Sequence, residues 1–264
     1  MFGTSGVEDR VSNMSSTALS LVCPVYNEGE NIRAVVEGVS RCVSTPCELV
    51  LVYDFDEDNT IAPAAQAAAD CGIDLVLCKN TYGKGVVGAI KTGIESARAP
   101  AIAVIMGDCS DDLSAVDVMH EKITSGADLV CGSRYMRGGR QIGAPPLKAF
   151  LSRMAGLSLH ALVGLPSHDA TNNFKMYDRR FLRATPIESR AGFEIGLELT
   201  AKAFVTGFKV TEVPVTWTER DRGTSRFRLL NWLPHYLRWY VYALIHARRK
   251  AAAVFSPPSG PGSI

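Results

Sequence analysis

Apolar residues recur along this chain in two rhythms. Short runs at residues 18–22, 48–52, 73–78, 101–105 and 128–131 are bounded by polar turns and predict buried strands. Between them the spacing lengthens: Ile32, Val35, Val36 and Val39 repeat at helical intervals, and residues 60–70, 86–97 and 113–123 continue the pattern. Repeated βα units of this length predict an α/β fold with a parallel, doubly wound sheet and right-handed crossovers. Beyond residue 132 the rhythm changes. A Gly- and Arg-rich loop over 132–143 precedes a helix over 145–162, a polar turn over 167–173 and a helix over 193–205. Residues 208–217 alternate as a strand, in which Pro214 predicts an edge or a bulge. With no long linker, this half reads as a mixed continuation of one domain over 18–227. Polar, Ser/Gly-rich segments at 1–17 and 251–264 are expected to be flexible.

Residues 228–250 form an apolar helix in which Asn231, His235, Arg238, Tyr242, His246 and Arg249 make one polar stripe. Arg238 near its middle disfavours a membrane span. Trp, Tyr and the adjoining Arg248-Arg249-Lys250 suit an amphipathic helix lying in the headgroup region of a membrane; a partner or a homo-oligomer contact is the alternative.

Composition adds exclusions. The 264 residues are 47% apolar and 21% charged with a formal net charge of +1, which gives no reason to expect nucleic-acid binding. Seven scattered cysteines without metal spacing point to a reduced, cytoplasmic compartment, and Cys42-x4-Cys47 lacks redox spacing. No signal pattern opens the chain.

Polar groups cluster at the strand ends. Met106-Gly107-Asp108-Cys109-Ser110-Asp111-Asp112 follows the strand at 101–105, so three carboxylates arrive where such sheets keep their chemistry. They can hold a hard cation such as Mg2+ or Mn2+, or cap the next helix together with Ser114. Lys84 in Gly83-Lys84-Gly85 stands at a helix start and suits a diphosphate; the alternative is a Gly-rich turn with a solvated lysine. Lys148 and Ser152 lie four apart on one helix and face one spot. Asp169 after His168 is either an acid near an acceptor or a turn cap, and Glu194 and Glu198 are weaker candidates.

The order Pro24-Val25-Tyr26-Asn27-Glu28, Gly83-Lys84-Gly85, Gly132-Ser133-Arg134-Tyr135, Asp169-Ala170-Thr171-Asn172-Asn173-Phe174-Lys175 and Gly223-Thr224-Ser225-Arg226 resembles family 2 glycosyltransferases. Within them it is most similar to the polyprenyl-phosphate, dolichol-phosphate mannosyltransferase-like branch. The resemblance implies a GT-A fold and an inverting hexosyl transfer from a nucleotide diphosphate sugar, of the GDP-mannose or UDP-glucose class, to a polyprenyl phosphate. It also implies residue roles. Pro24, Tyr26, Asn27, Glu28, Asp54, Lys84, Gly107, Asp108 and Arg226 would bind the donor, and Arg134, Lys148 and Ser152 the acceptor phosphate, with Arg137 and Arg140 as further donors nearby. Asp108 with Ser110 would hold Mg2+ or Mn2+, with Asp111 as a helper, and Asp108, Asp169 and Arg226 would serve catalysis. The expected location is the cytoplasmic face of a membrane, as a peripheral protein.

Two positions depart from the family pattern. Tyr53 replaces the first acid of an Asp-Asp pair, and Met106 replaces the first acid of Asp-x-Asp, where a thioether is a poor ligand for a hard cation. Two other readings therefore stand beside the first. One is transfer to a sugar or lipid hydroxyl with Asp169 as base; the other is a nucleotide-sugar-binding module without turnover.

Overall fold

The computed structural model describes residues 17–219 and 229–255, with side chains at 17–219 and 232–247. A seven-stranded sheet carries the order β3-β2-β1-β4-β7-β5-β8. Its strands are β1 (Leu19–Pro24), β2 (Cys47–Tyr53), β3 (Asp74–Lys79), β4 (Ala101–Val104), β5 (Leu129–Ser133), β7 (Lys175–Asp178) and β8 (Val210–Pro214). Two short strands, β6 (Arg140–Ile142) and β9 (Thr216–Thr218), pair separately as a parallel ribbon. The helices are α1 (Ile32–Cys42), α2 (Ile61–Cys71), α3 (Val86–Ser96), α4 (Val116–Thr124), α5 (Pro146–Val163), α6 (Arg179–Ala184), α7 (Ile195–Thr206) and α8 (Leu229–Phe255).

Burial explains why the strands read as unbroken apolar runs. Leu19, Leu21, Leu49 and Leu51 pack under α1, α2 and α4, whereas Val22, Val50 and Val52 pack under α3, α6 and α7. Successive residues point to opposite faces, and helices cover both. A third cluster joins Leu159 of α5, Leu197 and Ala201 of α7, and Trp239 and Ala243 of α8. α8 thus forms an outer layer over α7.

The mixed half differs from its expectation at β6, which falls in the loop expected over 132–143, at β7, at α6 and at the end of β8. β7, not predicted, inserts antiparallel between β4 and β5. α6 follows it at once, with the Asp178 carboxylate capping the Arg180 N–H at 2.7 Å. The strand expected over 208–217 divides at Val215: β8 stays in the main sheet as its edge, and β9 leaves for the ribbon. Pro214 ends β8, which fits an edge.

On α8 the expected polar stripe is not the whole outward surface. Leu233, Leu237, Val241 and Ile245 are exposed at intervals of four, while Trp239 and Ala243 are buried and Tyr242 and His246 are half-buried. Arg238 pairs with Glu188 at 2.9 Å and stacks on Trp239. Among the described residues no helix is long and apolar enough to cross a membrane. The seven cysteines are unpaired.

One buried acid ties the sheet together at the edge away from the strand ends. Glu48, fully buried in β2, accepts from the Ser20 hydroxyl (2.5 Å), the Arg98 N–H (2.6 Å) and Arg98 Nε (2.5 Å). Burial alone would raise its pKa, yet the Ser20 and Arg98 bonds hold it below the usual carboxylate value. A depressed folded pKa gives stability that is present above the unfolded value and is lost as pH falls through the folded one. Glu48→Ala is expected to cost about 2–3 kcal/mol in denaturant unfolding at pH 7, for the lost charge-assisted bonds. The gap between variant and parent should narrow as pH falls below about 4.

Candidate active site

The order of strands reverses at β1, which pairs with β2 on one side and β4 on the other. Ligands in open α/β sheets bind outside the carboxyl ends of the strands at such a switch point. A cleft of about 740 Å3 opens there.

One end of the cleft is built from the loops after β1, β2 and β3. Pro24, Tyr26, Asn27, Glu28, Asp54 and Lys84 all line it. Asn27 takes a left-handed φ of 54°, which an Asn tolerates, and its N–H donates to Asp58 at 3.0 Å. The Glu28 N–H donates to Thr60 (2.8 Å) and the Gly29 N–H to Asn59 (2.9 Å), so the loop after β2 holds the loop after β1. Tyr26 meets Phe55 edge to face at 5.4 Å. Asp54 accepts from Asn80 Nδ2 (2.7 Å) and from the Gly85 N–H (2.9 Å). It therefore shapes the Gly83-Lys84-Gly85 turn while each oxygen keeps capacity for a further donor. Gly85 sits at φ 112°, a conformation suited to glycine, and opens α3 with no side-chain cap, so the first α3 N–H groups and exposed Lys84 face the cleft together. Tyr53, where the family pattern has an acid, packs against the core.

The acidic turn after β4 lies at the centre. Gly107, Asp108, Ser110 and Asp111 line the cleft. Cys109 has φ 60°, a conformation that β-substituted residues rarely adopt. Asp111 accepts from the Met106 N–H at 2.8 Å, and Asp108 from the Ser110 N–H at 3.2 Å. Enclosure and the charge of Asp108 push the Asp111 carboxyl up to about 7. Met106 also lines the cleft while packing, half-buried, against the core. Asp112 accepts from the Ser114 hydroxyl (2.5 Å) and from the Thr216 N–H (3.0 Å), so it joins the turn to β9 and does not cap the helix backbone.

The other end is basic and rich in hydroxyls. Arg134, Lys148 and Ser152 line it, with Thr171, Asn172 and Trp217. Arg134 is 9% exposed. Its Nε donates to Asp169 at 2.6 Å and its Nη2 reaches Asp169 (2.9 Å) and Ser152 (3.0 Å). Ser152 and Thr171 lie 2.6 Å apart, and Lys148 stands 5.7 Å over the Trp217 ring. Burial opposes charge on both partners, but each holds the other ionised: Asp169 lies below the usual carboxylate range and Arg134 above its own.

The role expected of Asp169 as a base is corrected by this geometry. It is fully buried, lies outside the cleft wall, and spends both oxygens on Arg134 while also accepting from the Asn172 N–H at 3.2 Å. It is a positioning residue for Arg134. His168 is held by Glu212 at 2.5 Å and stacks on His160, away from the cleft. Glu194 and Glu198 also lie outside the cleft wall, and Glu198 accepts from the Glu188 N–H (2.6 Å), the Ser189 N–H (2.8 Å) and Lys202 (2.7 Å). Arg137 and Arg140 are exposed on the loop and ribbon and are not part of the wall. Arg226 lies outside the described residues. Cleft residues that the sequence reading passed over include Gln141, Trp217, Glu219, Trp232 and Tyr236. Only the alternation of 208–217 hinted at any of them.

A mostly parallel sheet whose strand ends build one cleft, with a helix start and lysine at one end and an acidic turn at the switch point, defines a GT-A-type α/β fold. The model for glycosyl transferase family 2 matches residues 20–185. The chain belongs to glycosyltransferase family 2 and is an enzyme of the hexosyltransferase class. It is 28% identical over 224 residues to polyprenol monophosphomannose synthase of Mycolicibacterium smegmatis, covering 83% of this chain and 84% of that one. It is 25% identical over 228 residues to dolichol-phosphate mannosyltransferase of Pyrococcus furiosus, covering 83% and 63%. Its fold matches glucosyl-3-phosphoglycerate synthase from Mycobacterium tuberculosis, crystallised with Mn2+, UDP and phosphoglyceric acid, at TM-score 0.62 and 20% identity over 95% of this chain and 83% of that one.

Asp169→Ala would leave a buried guanidinium without its counter-charge, so it is expected to lower unfolding stability by about 3–5 kcal/mol. Chemical denaturation checks this. A variant that unfolds like the parent but loses turnover would restore the base role.

Proposed function

We propose that this enzyme transfers a hexosyl group, with inversion, from a nucleotide diphosphate sugar of the GDP-mannose or UDP-glucose class to a polyprenyl phosphate. The observation that carries the reading is the composition of the acceptor end: Arg134, Lys148, Ser152 and Thr171 converge there, and the nearest acid, Asp169, is locked to Arg134. Cations and hydroxyls suit an acceptor that is anionic and brings its own nucleophile. A phosphate monoester does so, since its second pKa is about 6. A hydroxyl acceptor would need a base, and Asp169, the acid expected in that role, is engaged by Arg134. The two mannosyltransferase relatives, whose names carry polyprenol and dolichol phosphate, support the same choice.

The residues present fit a divalent cation. Asp108 and Asp111 line the cleft from one turn, where burial and then the Asp108 charge raise the Asp111 pKa, and Ser110 adds a hard hydroxyl oxygen. Among the described residues no cluster of three or more His, Cys, Asp or Glu is arranged to hold a metal alone, so diphosphate oxygens would complete the ligand set. Asp108 with Ser110 would hold Mg2+ or Mn2+, and the ion would offset charge on the departing diphosphate. Lys84 and the α3 N–H groups bind the same diphosphate from the other side. Arg134 and Lys148 hold the acceptor phosphate, and the Arg134–Asp169 pair fixes the direction in which it is presented. Arg226, assigned to closing over the donor diphosphate, belongs to this scheme through the resemblance.

The acceptor's apolar chain and the exposed row Leu233, Leu237, Val241 and Ile245 on α8 support a peripheral position at the cytoplasmic face of a membrane. Leu147, Phe150 and Met154 on neighbouring α5 are exposed as well.

Asp108→Ala is expected to abolish transfer while the circular dichroism of the parent is kept; activity of that variant in excess chelator would remove the metal from the scheme. Lys148→Ala and Ser152→Ala should raise the KM for polyprenyl phosphate about 10-fold each, with the donor KM nearly unchanged. A shift confined to the donor KM would move these residues to the other substrate. Organic extraction of radiolabelled product, with a panel of nucleotide sugars, reads both.

A further inference from the structure

Among the described residues three enclosed side-chain atoms have no hydrogen-bond partner: Gln141 Nε2, Glu194 Oε2 and Glu219 Oε2. Buried polar atoms are nearly always paired, so each exception asks for an explanation. Gln141 and Glu219 share one: both line the cleft, and both belong to the β6–β9 ribbon.

The register of the ribbon shows how they come to face the same way. Gln141 pairs with Trp217, and the Glu219 N–H donates to the Ile142 carbonyl at 2.9 Å, which carries the pairing one residue past β9. Residues two apart on a strand share a face. Gln141, Trp217 and Glu219 therefore lie on one face, which lines the cleft; Arg140, Ile142 and Thr218 lie on the other, which is exposed.

Neighbours of the ribbon place this face between the two ends of the cleft. On one side the Thr218 N–H donates to the Ser110 carbonyl (3.2 Å) and the Thr216 N–H to Asp112 (3.0 Å), so β9 is attached to the acidic turn. On the other, the Tyr135 hydroxyl lies 3.1 Å from Gln141 Oε1 and 3.0 Å from Ser152 Oγ, and Lys148 stands over Trp217. The face thus adjoins both the acidic turn and the Ser152 and Lys148 end of the cleft.

The chemistry of the two atoms selects among ligands. An amide N–H only donates and a carboxylate oxygen only accepts. A phosphate would be repelled by Glu219, whereas neighbouring sugar hydroxyls both accept and donate. From this placement we infer that Gln141 and Glu219 hydrogen-bond the hydroxyls of the transferred hexose and determine which epimer the enzyme accepts, with the Trp217 ring as the apolar wall beside them. The inference rests on the proposed transfer reaction and names the sugar-recognition elements within it.

The test uses the full chain with polyprenyl phosphate in lipid vesicles and GDP-mannose, GDP-glucose, UDP-glucose and UDP-galactose as donors. The parent, Gln141→Ala and Glu219→Gln are compared in kcat/KM, and calorimetry measures the affinity of each sugar nucleotide against GDP or UDP alone. Each variant is expected to lose about 10- to 100-fold in kcat/KM on the preferred donor, to compress the ratio between donors differing only in the sugar, and to bind free GDP or UDP like the parent. An unchanged ratio between sugars, or a loss of affinity for the free nucleotide of the same size, would overturn the assignment. If the parent forms no lipid product, the proposed reaction fails. Calorimetry then still decides the present point: the affinity that the sugar adds over the free nucleotide is lost in the variants or it is not.

Discussion

A guanidinium that is 9% exposed must have a counter-charge at hand, and the Arg134–Asp169 pair is the interaction on which the acceptor end depends. Sheet topology supplies it. Because β7 runs antiparallel between β4 and β5, it begins where its neighbours end. The turn that precedes it, residues 167–173, is thereby delivered to the cleft side of the sheet beside the end of β5, which carries Arg134. Asn172 Nδ2 then bonds the Gly132 carbonyl at 2.8 Å, and buried Lys175 donates to the Asn172 carbonyl, so the turn is fixed to both strands. Burial holds the Lys175 pKa below its ordinary value, and Asp169 is among the charges that oppose this. With Asp169 committed, Arg134 turns the rest of its fork to Ser152 and Thr171.

Local pattern made most of the first half legible. β1 to β5 and α1 to α4 follow from apolar runs and helical spacing because each unit buries its own stripe against the sheet. What escaped was set by long-range pairing. β7 is only four residues long and carries a lysine and an aspartate, so it reads as turn until β4 and β5 flank it. β6 carries Arg140 and Gln141 in a Gly-rich loop, and nothing local marks it as a strand; its partner β9 is 74 or more residues away in the chain. Asp169 illustrates the same limit at the level of chemistry. A lone acid in a turn offers a base or a cap to the reader of sequence, and only the folded position of Arg134 reveals an ion pair. The Pro24, Asn27, Asp54, Lys84 and Asp108 motifs were visible because each stands directly after its own strand.

The acidic turn shows how an apparent gap in a motif is absorbed. Met106 is half-buried between the core and the cleft, and its N–H is taken by Asp111. With Cys109 in the αL conformation, Asp111, three residues beyond Asp108, is enclosed in the same turn, and burial together with the Asp108 charge raises its pKa. Two carboxylates held in mutual repulsion are a standing attraction for a cation, whichever position in the chain contributed them. On the proposed reading, the acid missing at Met106 is offset by Asp111 further along the same turn.

α8 links the chemistry to the surroundings of the enzyme. Its Trp239 and Ala243 are sealed against α5 and α7, and Trp239 Nε1 donates to Ser189 at 3.1 Å, so the helix is docked firmly and not loosely appended. From that seam one side of the helix turns inward: Trp232 and Tyr236 join Leu151 and Ala155 of α5 in walling the cleft, and Leu233, exposed at its rim, begins the outward row. The other side turns outward with Leu237, Val241 and Ile245. Apolar surface thus begins at Leu151 of α5, next to Ser152 and its partner Arg134, and continues to the exterior along α8. On the proposed reading this is what an acceptor with a charged head and a long hydrocarbon tail requires. Its phosphate needs a desolvated cation, and its chain needs a route that never crosses water, so the helix that walls the one also has to expose the start of the other.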